Sequence, residues 1–95
     1  MGKKYKLSQQ VKEDLQVIYE YGLFRWGEAQ ADLYFSAFFA SFIKISEQPE
    51  AYQKVDHIKK GYRRCVCGVD SIFFREVNGQ IEIMAIIGNQ DLTDL

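Results

Sequence analysis

The residues best suited to chemistry in this sequence lie between Lys54 and Arg75. Lys54, Lys59, Lys60, Arg63 and Arg64 stand against Asp56 alone between positions 54 and 64, and Arg75 follows. Cleaving RNA takes groups that position a 2′-hydroxyl, move a proton and stabilise an anionic phosphate. His57, Tyr62, Arg63, Arg64 and Arg75 are of the right type. His57 is the only histidine and sits in a polar stretch, where an imidazole is ordinarily solvated. Their spacing supplies no acid–base couple, so catalysis is not expected. Cys65-x-Cys67 with His57 offers at most three metal ligands, and no second cysteine pair supplies a zinc-finger spacing. No metal and no cofactor are expected. On a strand the two cysteines would share one face as small hydrophobes, poorly placed for a mutual bridge. The sequence holds no glycine-rich phosphate loop and no nucleophile elbow.

The elements that must position these residues follow from periodicity. Tyr5 to Leu7 reads as a short first strand. Ser8 is placed to cap a helix, since its hydroxyl accepts from first-turn amides. Val11, Leu15, Ile18, Tyr19 and Gly22 recur at helical spacing and predict a helix over 9–24. Gly27 suits the tight turn to a second helix from Glu28 to Glu47. Ala31, Tyr34, Phe35, Phe38, Phe42 and Ile45 form its stripe, which Phe39 and Ile43 widen beyond one core face. Two adjacent helices with so short a link form an antiparallel hairpin. Pro49 cannot continue the helix, and 48–61 reads as a polar loop.

The last third reads as three strands. These are Tyr62 to Cys67, Ile72 to Val77 and Gln80 to Ile87, with a turn over 68–70. Asn78-Gly79 is a strong hairpin signal, because both residues tolerate the positive φ of a type I′ turn. That turn sets Val77 opposite Gln80, Arg75 opposite Glu82, Phe74 opposite Ile83, Phe73 opposite Met84 and Ile72 opposite Ala85. One face then collects Ile72, Phe74, Ile81, Ile83, Ala85 and Ile87 and should pack on the helices. The other collects Phe73, Arg75, Glu82, Met84 and Ile86. It is expected to stay exposed as a partner site, unless the tail from Gly88 to Leu95 folds over it. Phe73, Met84 and Ile86, with Trp26, Phe39 and Ile43 on the helices, are therefore the partner-binding candidates. An open strand edge is a further route, by strand addition.

Length and composition bound the class. Ninety-five residues make room for one domain over 1–95. Twelve basic residues against thirteen acidic give a net charge of −1. That disfavours a protein drawn to polyanions by its overall field, and no sequence-specific DNA binding by this chain alone is expected. Two cysteines fit a reducing, cytoplasmic setting. The basic start Met-Gly-Lys-Lys-Tyr-Lys has no apolar run after it, so no signal peptide is expected. No window approaches 18 continuous apolar residues, so no membrane span is expected either.

With these elements in order, the chain resembles the ParE toxins of the RelE/ParE superfamily, from bacterial type II toxin–antitoxin modules. The resemblance runs from about Tyr5 to Leu92. Its residues are Tyr5-Lys6-Leu7-Ser8, Arg25-Trp26-Gly27-Glu28-Ala29-Gln30-Ala31-Asp32, Pro49, Asp56, Ile58, Gly61, Arg63-Arg64, Gly68 and Ile72-Phe73-Phe74-Arg75. It implies an α+β, RelE/ParE-like fold: a short N-terminal strand, an antiparallel helical hairpin, then a three-stranded antiparallel meander packed on the helices. It implies a growth-arresting toxin neutralised by a cognate ParD-type antitoxin, with DNA gyrase as its target. The related RelE branch instead cuts mRNA on the ribosome. The family's Arg-Ile-Leu-His in the last strand is Ala85-Ile86-Ile87-Gly88 here, its Ser-His before the preceding strand is Val69-Asp70, and its common glycine at position 52 is Tyr52. Absence of that histidine weighs against a nuclease.

Overall fold

The computed structural model describes residues 5–88. The C-terminal tail beyond Gly88, read as a possible cover for the sheet, lies outside the described residues. Strand β1 (Tyr5–Leu7) leads into α1 (Gln9–Trp26) and α2 (Glu28–Glu47). A 3-10 turn (Pro49–Ala51) follows, then β2 (Gln53–Lys54), β3 (Arg63–Cys67), β4 (Asp70–Val77) and β5 (Gln80–Gly88).

Ser8 does two jobs at the start. Its Oγ accepts from the Val11 amide at 3.1 Å, capping α1 as its residue type predicts. Its own N–H donates to the Ile83 carbonyl at 3.0 Å and its hydroxyl to that of Met84 at 3.2 Å, tying the helix start to β5. α1 runs two residues further than its apolar spacing suggests, and Gly27 alone, at φ 93°, makes the turn. Gly22 and Ala31 let the helices approach closely. A Cβ on Gly22 would stand 3.2 Å from that of Ala31.

The sheet has five strands in the order β1-β5-β4-β3-β2, not the three of the expected meander. β1 lies parallel to β5, with Tyr5 opposite Ile81 and Leu7 opposite Ile83. β2 pairs antiparallel with the start of β3. Asn78 and Gly79 adopt φ of 53° and 79°, as the hairpin requires. The register from that turn holds from Val77–Gln80 to Phe74–Ile83. Then a bulge intervenes: Phe73 faces Ala85 and Ile72 faces Ile86, so Met84 is skipped.

One extra residue reverses which side chains point where. Ile86 turns to the helix side and joins Val11, Leu15, Phe38, Phe42, Ile45, Ile72, Phe74, Ile81 and Ile83 in the main core. Ala85 and Ile87 turn to the far face beside Met84. That face is not open. Val55 and Tyr62, buried, and Ile58, half-buried, pack with Phe73 as a second small core. The segment that carries them is closed on itself, the Val55 amide donating to the Tyr62 carbonyl at 2.9 Å and the Gly61 amide to Asp56 Oδ1 at 2.7 Å. The stretch 48–61 is therefore not merely a polar loop. Its few apolar residues cover the sheet, and Phe73 is 0% exposed.

Candidate partner-binding surface

The exposed large apolar side chains concentrate on the helical hairpin. Val17, Tyr21, Leu23, Phe24, Trp26 and Leu33 lie on the second half of α1 and the first turns of α2, with Val69 beside them in the β3–β4 turn. Phe24 is 90% exposed. A cluster of this kind on a small protein marks a contact site. Its basis is local: Val17, Tyr21 and Phe24 repeat at steps of four and three, a second apolar stripe on the side of α1 that the core stripe leaves outward. Trp26 edges Tyr21 at 6.0 Å and Tyr34 at 6.4 Å between ring centres.

A groove of about 400 Å³ runs between the two helices, walled by Leu7, Leu15, Tyr19, Phe35 and Phe39 and rimmed by Lys12, Gln16 and Glu20. Its rings belong to an edge-on and tilted chain that continues into the core, Tyr19–Phe35 at 5.1 Å, Phe35–Phe39 at 5.2 Å and Phe39–Phe42 at 5.3 Å. Such geometry adds roughly 0.5–1.5 kcal/mol per pair beyond area burial. The Tyr19 hydroxyl donates to Asp32 Oδ1 at 2.6 Å, and that bond raises the phenol's pKa. The outer edge of β3 gives a second opening. β2 pairs only with Arg63 and Arg64, so Cys65 to Cys67 have no strand on that side among the described residues.

Of the six partner-binding candidates from the sequence, three lie at the surface. Trp26 stands at the hairpin tip, Phe39 walls the groove and Ile43 is exposed. Phe73 and Ile86 are buried, and Met84 is half-buried against the second core. The exposed sheet face they were expected to form is largely covered among the described residues, because the bulge redirects Ile86 and the 55–62 segment covers Phe73. Val17, Tyr21, Phe24, Leu33 and Val69 were not singled out by sequence. The second stripe on α1 is the signal that identifies the first three.

The cationic residues do not form one continuous patch. Arg63, Lys54 and Arg75 line a cavity of about 240 Å³ together with Tyr62, Asp56 and Glu76. Arg63 Nη1 donates to the Tyr52 carbonyl at 2.8 Å, and Arg64 Nε to Ser71 Oγ at 2.9 Å. Arg75 Nε meets Glu82 Oε1 at 2.7 Å, the cross-strand pair that the turn register predicts, and that bond raises the guanidinium pKa. Lys54, Lys59 and Lys60 are exposed, and Lys59 Nζ lies 5.8 Å from the Tyr62 ring centre. His57 is exposed and is not a wall of the cavity. Cys65 and Cys67 are buried and not disulfide-bonded. Burial pushes both thiols up, away from the reactive thiolate. Among the described residues no group of three His, Cys, Asp or Glu could hold a metal ion. No described helix is long and apolar enough to cross a membrane.

A helical hairpin packed on one face of a five-stranded mixed sheet, with exposed apolar side chains on its outer side, defines a small α+β protein. The chain aligns from residue 5 to residue 92 with the family model for the ParE toxin of the type II toxin–antitoxin system parDE, and it belongs to that family. It is 36% identical over 85 residues to Toxin ParE1 of Caulobacter vibrioides, covering 90% of this chain and 88% of that protein. It is 26% identical over 88 residues to Toxin ParE1 of Mycobacterium tuberculosis, covering 92% and 90%. The fold matches a chain of the chromosomal ParDE toxin–antitoxin system from P. aeruginosa with a TM-score of 0.80, over 90% of this chain and 95% of that one, at 17% identity.

Proposed function

We propose that this ParE toxin is silenced by a ParD-type antitoxin that covers the outward face of the helical hairpin. We propose further that the uncomplexed toxin arrests growth by binding DNA gyrase rather than by catalysis. The observation that carries the antitoxin reading is the set of exposed apolar side chains on either side of the α1–α2 turn, Val17, Tyr21, Leu23, Phe24, Trp26 and Leu33, together with the groove at Phe35 and Phe39. Exposing it costs the isolated protein solubility, and a partner segment laid over it removes that cost. Binding rather than chemistry is supported by the engagements of Arg63, Arg64 and Arg75 within the fold and by the raised thiols.

Expression in a bacterial host should stop growth, and co-expression of the adjacent small gene should restore it. Purified toxin should inhibit gyrase supercoiling and leave linearised plasmid. Untouched supercoiling together with cleavage of ribosome-bound mRNA would replace this target with the interferase one, for which the Lys54–Arg63–Arg75–Tyr62 cavity is the place to look. Undiminished growth at good expression would mean a toxin fold retained only as a complex partner.

A further inference from the structure

One cavity at the hairpin tip differs from the apolar surface around it. Its volume is about 290 Å³, and Val17, Tyr21, Trp26, Tyr34, Val69 and Asp70 wall it. Three rings meet there edge to face, Trp26 making planes of 87° with Tyr21 and 68° with Tyr34. Among the described residues Asp70 is the only charged wall, and the Tyr34 hydroxyl donates to its Oδ2. The turn is shaped for this pairing: Gly68, at φ 60°, has no Cβ where one would stand 2.9 Å from the Tyr34 ring.

The pairing of rings with one carboxylate narrows the occupant. A purely apolar group would suit the rings and strip water from Asp70 without repayment. An anion would meet the carboxylate's charge. A cation suits both walls, through the electron-rich rings and through a charge-assisted hydrogen bond to Asp70. Among the described residues no lysine or arginine lines the cavity.

We propose that the cavity formed by Tyr21, Trp26, Tyr34 and Asp70 receives an arginine or lysine side chain of the antitoxin, as the polar anchor of an otherwise apolar interface. The proposal rests on the reading that an antitoxin covers this surface. Burying one cation at the centre of an apolar contact sets the register of the partner segment and rejects partners that lack it.

The test is a double-mutant cycle on the toxin–antitoxin complex. Asp70→Asn in the toxin is combined in turn with the glutamine variant of each basic residue in the toxin-binding segment of the antitoxin. One basic residue should couple to Asp70, the double variant binding at least 10-fold better than the product of the two single effects, while the others combine independently. Tyr21→Leu, an exposed change that keeps the wall apolar, should weaken binding through that same residue. If Asp70→Asn leaves affinity unchanged, or no basic residue couples to it, the proposal fails and the toxin reading stands. If the adjacent gene's product does not bind the unaltered toxin at all, the antitoxin reading fails and this one with it.

Discussion

Phe73 shows how much one side chain carries here. It is wholly buried between the sheet and the 55–62 segment, touching Val55, Tyr62 and their neighbours. Phe73→Ala should cost about 3–5 kcal/mol, a large share of what so small a domain has. Phe73→Glu should not fold, because it places a charge in an apolar site. Urea denaturation with circular dichroism reads both. A folded Phe73→Glu protein would show that the segment lifts off the sheet easily. The titrating residues make a second prediction. Tyr34 is raised above its ordinary value near 10, first by burial and then by the Asp70 hydrogen bond. Cys65 and Cys67 are raised above about 9 by burial. Each is neutral when protonated and holds its proton more tightly folded than unfolded. Their contribution is complete below pH 9 and is lost as pH rises, first through the thiols and then through Tyr34. Stability measured by urea midpoint should therefore fall from about pH 9 upward. Tyr34→Phe should lower stability near pH 7 by about 1 kcal/mol and flatten the fall above pH 10. An unchanged alkaline profile in that variant would remove Tyr34 from the account.

The helices and strands were largely legible, because their signals are local. Ser8 caps α1, Gly27 turns the hairpin, and Asn78-Gly79 sets the β4–β5 register for its first four pairs. What the strand pattern could not carry was the bulge at Met84. Alternation is read by assuming a period of two, and both registers place apolar residues on both faces of this strand. The helix crossing is a further element-scale device. Gly22 faces Ala31 at a distance that leaves no space for a larger side chain. Gly22→Val should push α1 from α2 and destabilise the protein by about 1–3 kcal/mol. Since Trp26 and Tyr34 meet across that crossing, its single-tryptophan emission should shift as well. Stability and emission both unaltered would mean that the helices slide apart freely.

At the scale of the molecule, the two faces of the sheet are covered by different means. The hairpin covers one through the main core, and the 55–62 segment covers the other through the second. Most of the exposed apolar side chains are therefore on the outside of the hairpin, with Val66 and Val77 remaining on the sheet. Phe24→Asp and Leu33→Asp change exposed side chains, so thermal stability should stay within about 0.5 kcal/mol of the original. Antitoxin affinity should fall at least 10-fold in one or both, as measured by titration calorimetry. Full affinity in both would move the interface to the groove at Phe35 and Phe39 or to the open edge of β3. The cations of 54–75 are divided in the same way: Arg63, Arg64 and Arg75 hold partners within the fold, and Lys54, Lys59 and Lys60 are exposed.

The sequence alone determined the order and type of the helices and main strands, the capping and turn residues, the Arg75–Glu82 pair and the family to which the chain belongs. These depend on residues within a few positions of one another, or on a co-linear set of them. Only the tertiary structure decided which apolar face is exposed. That outcome rests on contacts between distant parts of the chain: β1 laid parallel beside β5, Val55 and Tyr62 closed over Phe73, and one skipped residue in β5. Each is selected by the packing of the whole core, where a single inserted residue exchanges the inner and outer faces of a strand. The exposed apolar side chains consequently lie mainly on the helical hairpin, where Val17, Tyr21 and Phe24 repeat at helical spacing.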